Sequence, residues 1–235
     1  MKTGKATFQA NWTDIEAQLN EEGYALLPGI LSDSQVDELV RACSMSDGAI
    51  ASLAAEGLGR GSCVYLQETA TPWIEDLREH LYGDLVPIAN RWNDALELRR
   101  RYPDTLAAFL DQNLEAGQTR SQSNLTRLRE GDHQALHQRS EGEHVFPLQI
   151  VGLLTEPGRD FTGGEFVMAE QRPRMQSRPM VLPLSKGGIA VIASAHRPHR
   201  GTKGYYRVNL KHAISRVRSG ERIGFELLLH HATKA

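Results

Sequence analysis

Cysteine is almost absent: Cys43 and Cys63 are the two in 235 residues. They make neither a disulfide framework nor a thiolate metal site, so any metal must be held by histidine and carboxylate. No apolar run approaches the roughly 18 residues of a membrane span. The opening Met1-Lys2-Thr3-Gly4-Lys5 lacks the apolar segment of a signal peptide, so a cytoplasmic protein is expected. A phosphate-binding loop is missing as well. Gly57-Leu58-Gly59-Arg60-Gly61 has the glycines but neither the Lys-Ser/Thr ending nor a following helix, and it reads as a turn. What remains, 40% hydrophobic and 24% charged, is ordinary globular composition, enough for one large domain or a core with a smaller cap.

Charge is unevenly placed along the chain. Residues 1–118 carry 9 basic and 19 acidic side chains, and 119–235 carry 18 and 10, giving −10 and +8 within a net −2. A positive second half suits an anion, whether a small carboxylate, a phosphate or a nucleic acid backbone; two halves that neutralise each other explain it equally well.

Residues 1–117 read as a helical layer. Ser32 with Gln35 three positions on forms a capping box, Leu31 and Val36 a hydrophobic staple, and a helix is predicted over 33–43. Trp73, Ile74, Leu77 and Leu81 keep helical spacing, as do Leu106, Phe109, Leu110 and Leu114 before Gly117. After Gly117 the pattern changes to short strand-like runs at 146–154, 188–192, 205–210 and 224–229, broken by Gly, Pro and charged turns. Short strands without intervening helices predict an antiparallel sandwich or jelly roll over 118–235, whose mouth can hold a ligand.

Eight of the nine histidines fall after residue 130. Inward histidines on several barrel strands are a usual way to build an open non-heme iron site, because imidazole suits Fe(II). The stretch from His212 through Arg-Ser-Gly-Glu-Arg to Arg222, preceded by Gly131-Asp132-His133-Gln134-Ala135-Leu136-His137-Gln138, Val145-Phe146-Pro147-Leu148-Gln149, Phe161-Thr162-Gly163-Gly164-Glu165-Phe166 and Arg172-Pro173-Arg174-Met175-Gln176-Ser177-Arg178, resembles the iron(II)- and 2-oxoglutarate-dependent oxygenase superfamily. More narrowly it resembles a bacterial branch that carries a generic oxygenase label and a suggested role in nucleic acid demethylation. The resemblance implies a double-stranded β-helix with an N-terminal helical layer, Fe(II) and 2-oxoglutarate as cofactors, and His137 and His212 as metal ligands. It also implies that Arg222 grips the far carboxylate of 2-oxoglutarate, with Ser215 and Gln149 beside it, and that residue 139 faces the substrate, a small molecule, anionic or neutral, or a nucleic-acid component.

One departure is sharp. The family's metal pattern is His-x-Asp, and here the third position is Arg139. Guanidinium is a donor only. About 4 Å from a dication it would be repelled by roughly 8 kcal/mol at an effective dielectric of 20. Arg139 must therefore swing away or hold an anion between itself and the metal. Four arrangements remain open: a two-histidine iron resembling that of the radical halogenases; a three-histidine centre completed by His133 or His199; a carboxylate from Glu141 or Glu143; and a non-catalytic relative that binds an organic anion or partner. A guanidinium that points to solvent fits the last two.

Overall fold

The computed structural model describes residues 10–45, 50–66 and 72–233; the opening residues 1–5 lie outside them. In chain order the elements are α1 (Trp12–Glu22), β1 (Tyr24–Leu27), α2 (Asp33–Met45), β2 (Ile50–Ser52), β3 (Gly59–Arg60), β4 (Ser62–Tyr65), α3 (Pro72–Ala95) and α4 (Leu106–Glu115). Then come β5 (Gln118–Ser121), β6 (Asn124–Arg129), β7 (His133–His137), β8 (Leu148–Leu153), β9 (Phe161–Gly163), β10 (Phe166–Gln171), β11 (Arg178–Leu182) and β12 (Ile189–Ala193). The chain closes with β13 (His196–Gly201), β14 (Gly204–Ile214), β15 (Val217–Leu228) and β16 (His231–Thr233).

The capping box forms as read: Ser32 N–H donates to Gln35 Oε1 at 3.0 Å, and Gln35 N–H to Ser32 Oγ at 3.3 Å. Leu31 and Val36 are buried beside it. In α4 the buried face is Leu106, Phe109 and Asn113, while Leu114 is exposed. Asn113 takes an inward place because its Oδ1 accepts from the backbone N–H of His231 at 2.8 Å. An aromatic cluster of Tyr82, Tyr102, Phe109 and Phe146, with centroids 4.9–5.9 Å apart, ties α3 and α4 to the segment leading into β8.

The strands form two large antiparallel sheets, with β16 and β5 as a separate antiparallel pair. One runs β1-β12-β8-β15-β6-β4-β2 with β9 beside β15; the other runs β11-β10-β14-β7-β3 with β13 beside β14. This is a mainly β fold with helices, a jelly roll. Every residue of β8 and β12 is buried, since one face of these strands lines the barrel and the other is covered. β1 pairs with β12, β3 with β7 and β4 with β6, and β2 extends β4, so residues 1–117 supply sheet edges as well as helices. The two charge-biased halves are thereby interleaved: Arg178 pairs with Glu22 and Arg60 with Asp132.

Candidate metal and co-substrate site

Strand alternation decides what enters the barrel. On β14, Val208, Leu210, His212 and Ile214 are buried while Arg207, Asn209 and Lys211 are exposed. On β15, Arg222, Gly224 and Glu226 share the inward face. β7 carries an irregularity: His212 pairs with His137 but Ile214 with Gln134, so one strand spends an extra residue. This bulge turns both Gln134 and His137 inward, which strict alternation forbids.

The rings of His137 and His212 come to 4.2 Å between centroids. His137 Nδ1 lies 2.9 Å from the Ala135 carbonyl, which fixes the proton on Nδ1 and turns Nε2 inward as a lone pair. That Nε2 is buried and makes no hydrogen bond. Burial, with His212 beside it, pulls the His137 pKa down to about 3 against the attraction of Glu226. The ring is neutral at physiological pH, as a metal ligand must be.

Facing both histidines is Glu226. Its Oε1 lies 3.8 Å from His137 Nε2 and 3.7 Å from His212 Nε2, with the Gln134 amide at 3.4 Å. Its Oε2 accepts from Arg139 Nε at 2.9 Å and lies 2.8 Å from Nη2 of the same guanidinium. Burial pushes the Glu226 carboxyl up, but Arg139 and the histidines outweigh it and hold it well below the usual carboxylate range. Among the described residues, His137, His212 and Glu226 form a group whose ligand atoms all lie within 4.8 Å of one another. Two imidazole nitrogens and one carboxylate oxygen are the donor set of open non-heme iron centres. The orphaned His137 Nε2 and the empty side of Oε1 fit such an ion.

Arg222 stands four residues before Glu226 on the same strand, 2% exposed. Its Nε donates to the Gly164 carbonyl at 2.8 Å, and among the described residues it has no carboxylate partner. Burial lowers its pKa to about 10, which leaves it charged at neutral pH. Gly224 is required beneath it, because a Cβ there would stand 2.9 Å from Arg222 Nη1 and 2.8 Å from the Gly152 carbonyl oxygen. Thr126, Val151, Phe166 and Ile214 wall the space between Arg222 and Glu226, a void of about 10 Å³. A cavity of about 330 Å³, lined in part by Phe161, Gly163, Gly164, Phe166 and Leu182, opens beside the same guanidinium.

The other sequence candidates fall elsewhere. Arg139 does not point to solvent: it is 6% exposed, and the anion it holds is Glu226. The carboxylate beside the histidines is therefore Glu226, not Glu141 or Glu143. Glu141 is taken by Arg120 at 2.9 Å and Gln122 at 3.0 Å, and the Glu143 side chain is 73% exposed. His133 is exposed at the start of β7, and half-buried His199 packs on Tyr206, so neither completes a three-histidine centre. Ser215 gives its hydroxyl to Glu165, a lining residue of the larger cavity, rather than to Arg222. Gln149 does reach the site: its Nε2 is 3.3 Å from His212 Nε2, and its Oε1 is buried without a hydrogen bond. Glu226 escaped the sequence reading. Its signal was a lone charge in Gly224-Phe225-Glu226-Leu227-Leu228-Leu229, a run too apolar to leave a carboxylate unpartnered.

A family model described as "Oxygenase, catalysing oxidative methylation of damaged DNA" matches residues 61–232, nearly three quarters of the chain. The chain belongs to this oxygenase family. The oxygenase is also 42% identical over 159 residues to an uncharacterized protein of Mycobacterium tuberculosis, covering 68% of each chain. Among solved structures it is similar to a Pseudomonas putida prolyl-4-hydroxylase (TM-score 0.56, 12% identity, 95% of this chain and 100% of that one). It is similar too to an oxidoreductase of the 2OG-Fe(II) oxygenase family from Burkholderia pseudomallei (TM-score 0.55, 16% identity, 99% of each). At such identities the likeness is one of fold.

Proposed function

We propose that this oxygenase uses Fe(II) and 2-oxoglutarate to oxidise a C–H bond of a small or nucleic-acid-derived substrate. The observation that carries the reading is the convergence of His137 Nε2, His212 Nε2 and Glu226 Oε1 in one buried pocket, with Arg222 on the same strand as the carboxylate. His137, His212 and Glu226 would hold the metal. Arg222 would hold the distal carboxylate of 2-oxoglutarate, a planar permanent cation suited to bidentate pairing. Its lack of a protein carboxylate leaves that role free, and the cavity of about 330 Å³ beside the same guanidinium has room for a dicarboxylate. The Gln149 amide, beside His212, would orient the co-substrate's other end. When bound, Fe(II) with 2-oxoglutarate and O2 supplies an oxidant, so that R–H, O2 and 2-oxoglutarate become R–OH, succinate and CO2. The barrel's part is to position the C–H bond and exclude water.

Damaged DNA, named for the family, directs the choice of substrate to test. A methyl group hydroxylated on a base nitrogen leaves as formaldehyde, and a base inside a duplex must first leave the stack. Protein reconstituted with Fe(II) and 2-oxoglutarate is therefore given methylated single-stranded DNA or the matching free nucleoside, and succinate and formaldehyde are measured. Succinate formation that requires both additions is expected, with a substrate-dependent rise on one of the two. Protein that binds Fe(II) and 2-oxoglutarate yet forms no succinate under any condition overturns the oxygenase reading; equal rates with and without both compounds overturn the substrate class.

A further inference from the structure

Arg139 occupies the position where the His-x-Asp pattern expects a carboxylate, and Glu226, on the opposite sheet, is the carboxylate it holds. Arg139 meets Glu226 at one oxygen, Oε2, with a hydrogen bond from Nε and an ion-pair contact from Nη2, leaving Oε1 to face the two histidines. The backbone that carries the guanidinium is anchored: the Arg139 backbone N–H donates to the Ser194 carbonyl at 3.2 Å, and the side-chain amide of the preceding Gln138 donates to the Ala195 and Leu210 carbonyls at 3.1 and 2.8 Å.

We infer that residues 139 and 226 form one cross-barrel ion pair whose charges are exchanged relative to the His-x-Asp arrangement, and that Arg139 is the positioning residue that presents Glu226 to the metal through a single oxygen. This inference rests on the metal site proposed above. Two consequences follow from the geometry. A carboxylate capped on Oε2 ligates through Oε1 alone, which keeps open the coordination positions a bidentate 2-oxo acid needs. Without Arg139 the carboxylate is free to turn and chelate with both oxygens, taking one of those positions. Removing the cation also removes the repulsion on the metal, so metal affinity itself should not fall. A merely structural arginine would lower stability without changing how the metal is coordinated.

The test uses the full chain loaded with Co(II), whose visible absorption reports coordination number, and 2-oxoglutarate titrated into the Co(II) form. In Arg139→Gln we expect retained Co(II) binding, a weaker and shifted Co(II) spectrum, and 2-oxoglutarate affinity lowered about tenfold or more, the scale at which supporting residues act on metal sites. Arg139→Lys, which keeps the charge but not the fork, should fall between. Glu226→Arg should abolish Co(II) binding, and Arg139→Asp combined with Glu226→Arg should restore one Co(II) per chain. An unchanged spectrum and unchanged 2-oxoglutarate affinity in a folded Arg139→Gln protein overturn the positioning role. A double variant that folds and stays metal-free while wild type loads overturns the exchange; if the double variant does not fold, Arg139→Gln alone decides. A wild type that takes up no Co(II), or takes it up equally after His137→Ala, instead sinks the metal site and this inference with it.

Discussion

Among the described residues two arginine–glutamate pairs are buried in this barrel, and they differ in how fully they are bonded. Arg197 gives Nε to Glu170 Oε2 at 3.0 Å, Nη1 to the Asn20 carbonyl at 2.6 Å and Nη2 to the Glu21 carbonyl at 2.8 Å. Glu170 Oε1 takes Arg172 Nε at 2.7 Å. Every oxygen has a close donor, and the cation sits on the last carbonyls of α1, where the helix dipole favours it. That pair is a strut between α1 and the smaller sheet, and Gly23 serves it, since a Cβ there would stand 3.1 Å from Arg197 Cδ. Arg139 and Glu226 are also buried, yet Glu226 Oε1 has only the 3.4 Å Gln134 amide and two imidazole nitrogens before it. A saturated buried pair holds structure; one whose outer oxygen has a single long hydrogen bond and faces the unpartnered His137 Nε2 is arranged for something that arrives later.

The comparison is easiest to break at the strut. Arg197→Met strands Glu170 and should cost about 3–5 kcal/mol in urea unfolding, with metal affinity unchanged. If it weakens metal binding as well, the two pairs are not separate. At the other pair, Glu226→Gln should lower metal affinity more than about 100-fold, beyond the loss typical of supporting residues. His199→Ala and Glu141→Gln should leave that affinity at wild-type level, measured by calorimetry with Mn(II). Arg222→Lys should weaken 2-oxoglutarate binding to the metal-loaded protein by about tenfold, because an ammonium cannot reproduce the fork; equal affinity removes Arg222 from the co-substrate site.

The pH dependence separates the pairs further. Burial pushes the Glu170 carboxyl up, but Arg172 and Arg197 overcome this and hold it below the usual carboxylate range. A depressed acid contributes stability that is present above its unfolded pKa, about 4.3, and is lost as pH falls through the folded value. Wild type should therefore lose stability on acidification below about pH 4.3, and Glu170→Gln, already weaker at neutral pH, should lose less over the same range; parallel acid curves would refute the assignment. The smallest effect is expected at Ser32→Ala, about 1 kcal/mol for loss of the capping box that starts α2, read by thermal unfolding.

Local rules made much of the molecule legible. The capping box at Ser32, the helical spacing in α3, and the four apolar runs that became β8, β12, β14 and β15 are signals carried by neighbours in sequence. The motif resemblance singled out His137, His212 and Arg222, and alternation along β14 and β15 turns the latter two inward. Contact between distant strands was beyond those rules. The sequence by itself determined that two histidines and an arginine would be available, and that residue 139 lacked the expected carboxylate. Only the tertiary structure decided that the bulge in β7 turns His137 and Gln134 to the same side, and that Arg139 is paired rather than exposed. It alone put Glu226, 87 residues along the chain from Arg139, against it across the barrel. The physical reason is that a charge in an apolar run announces a need for a partner through its desolvation cost, whereas which partner meets it depends on how two sheets face each other.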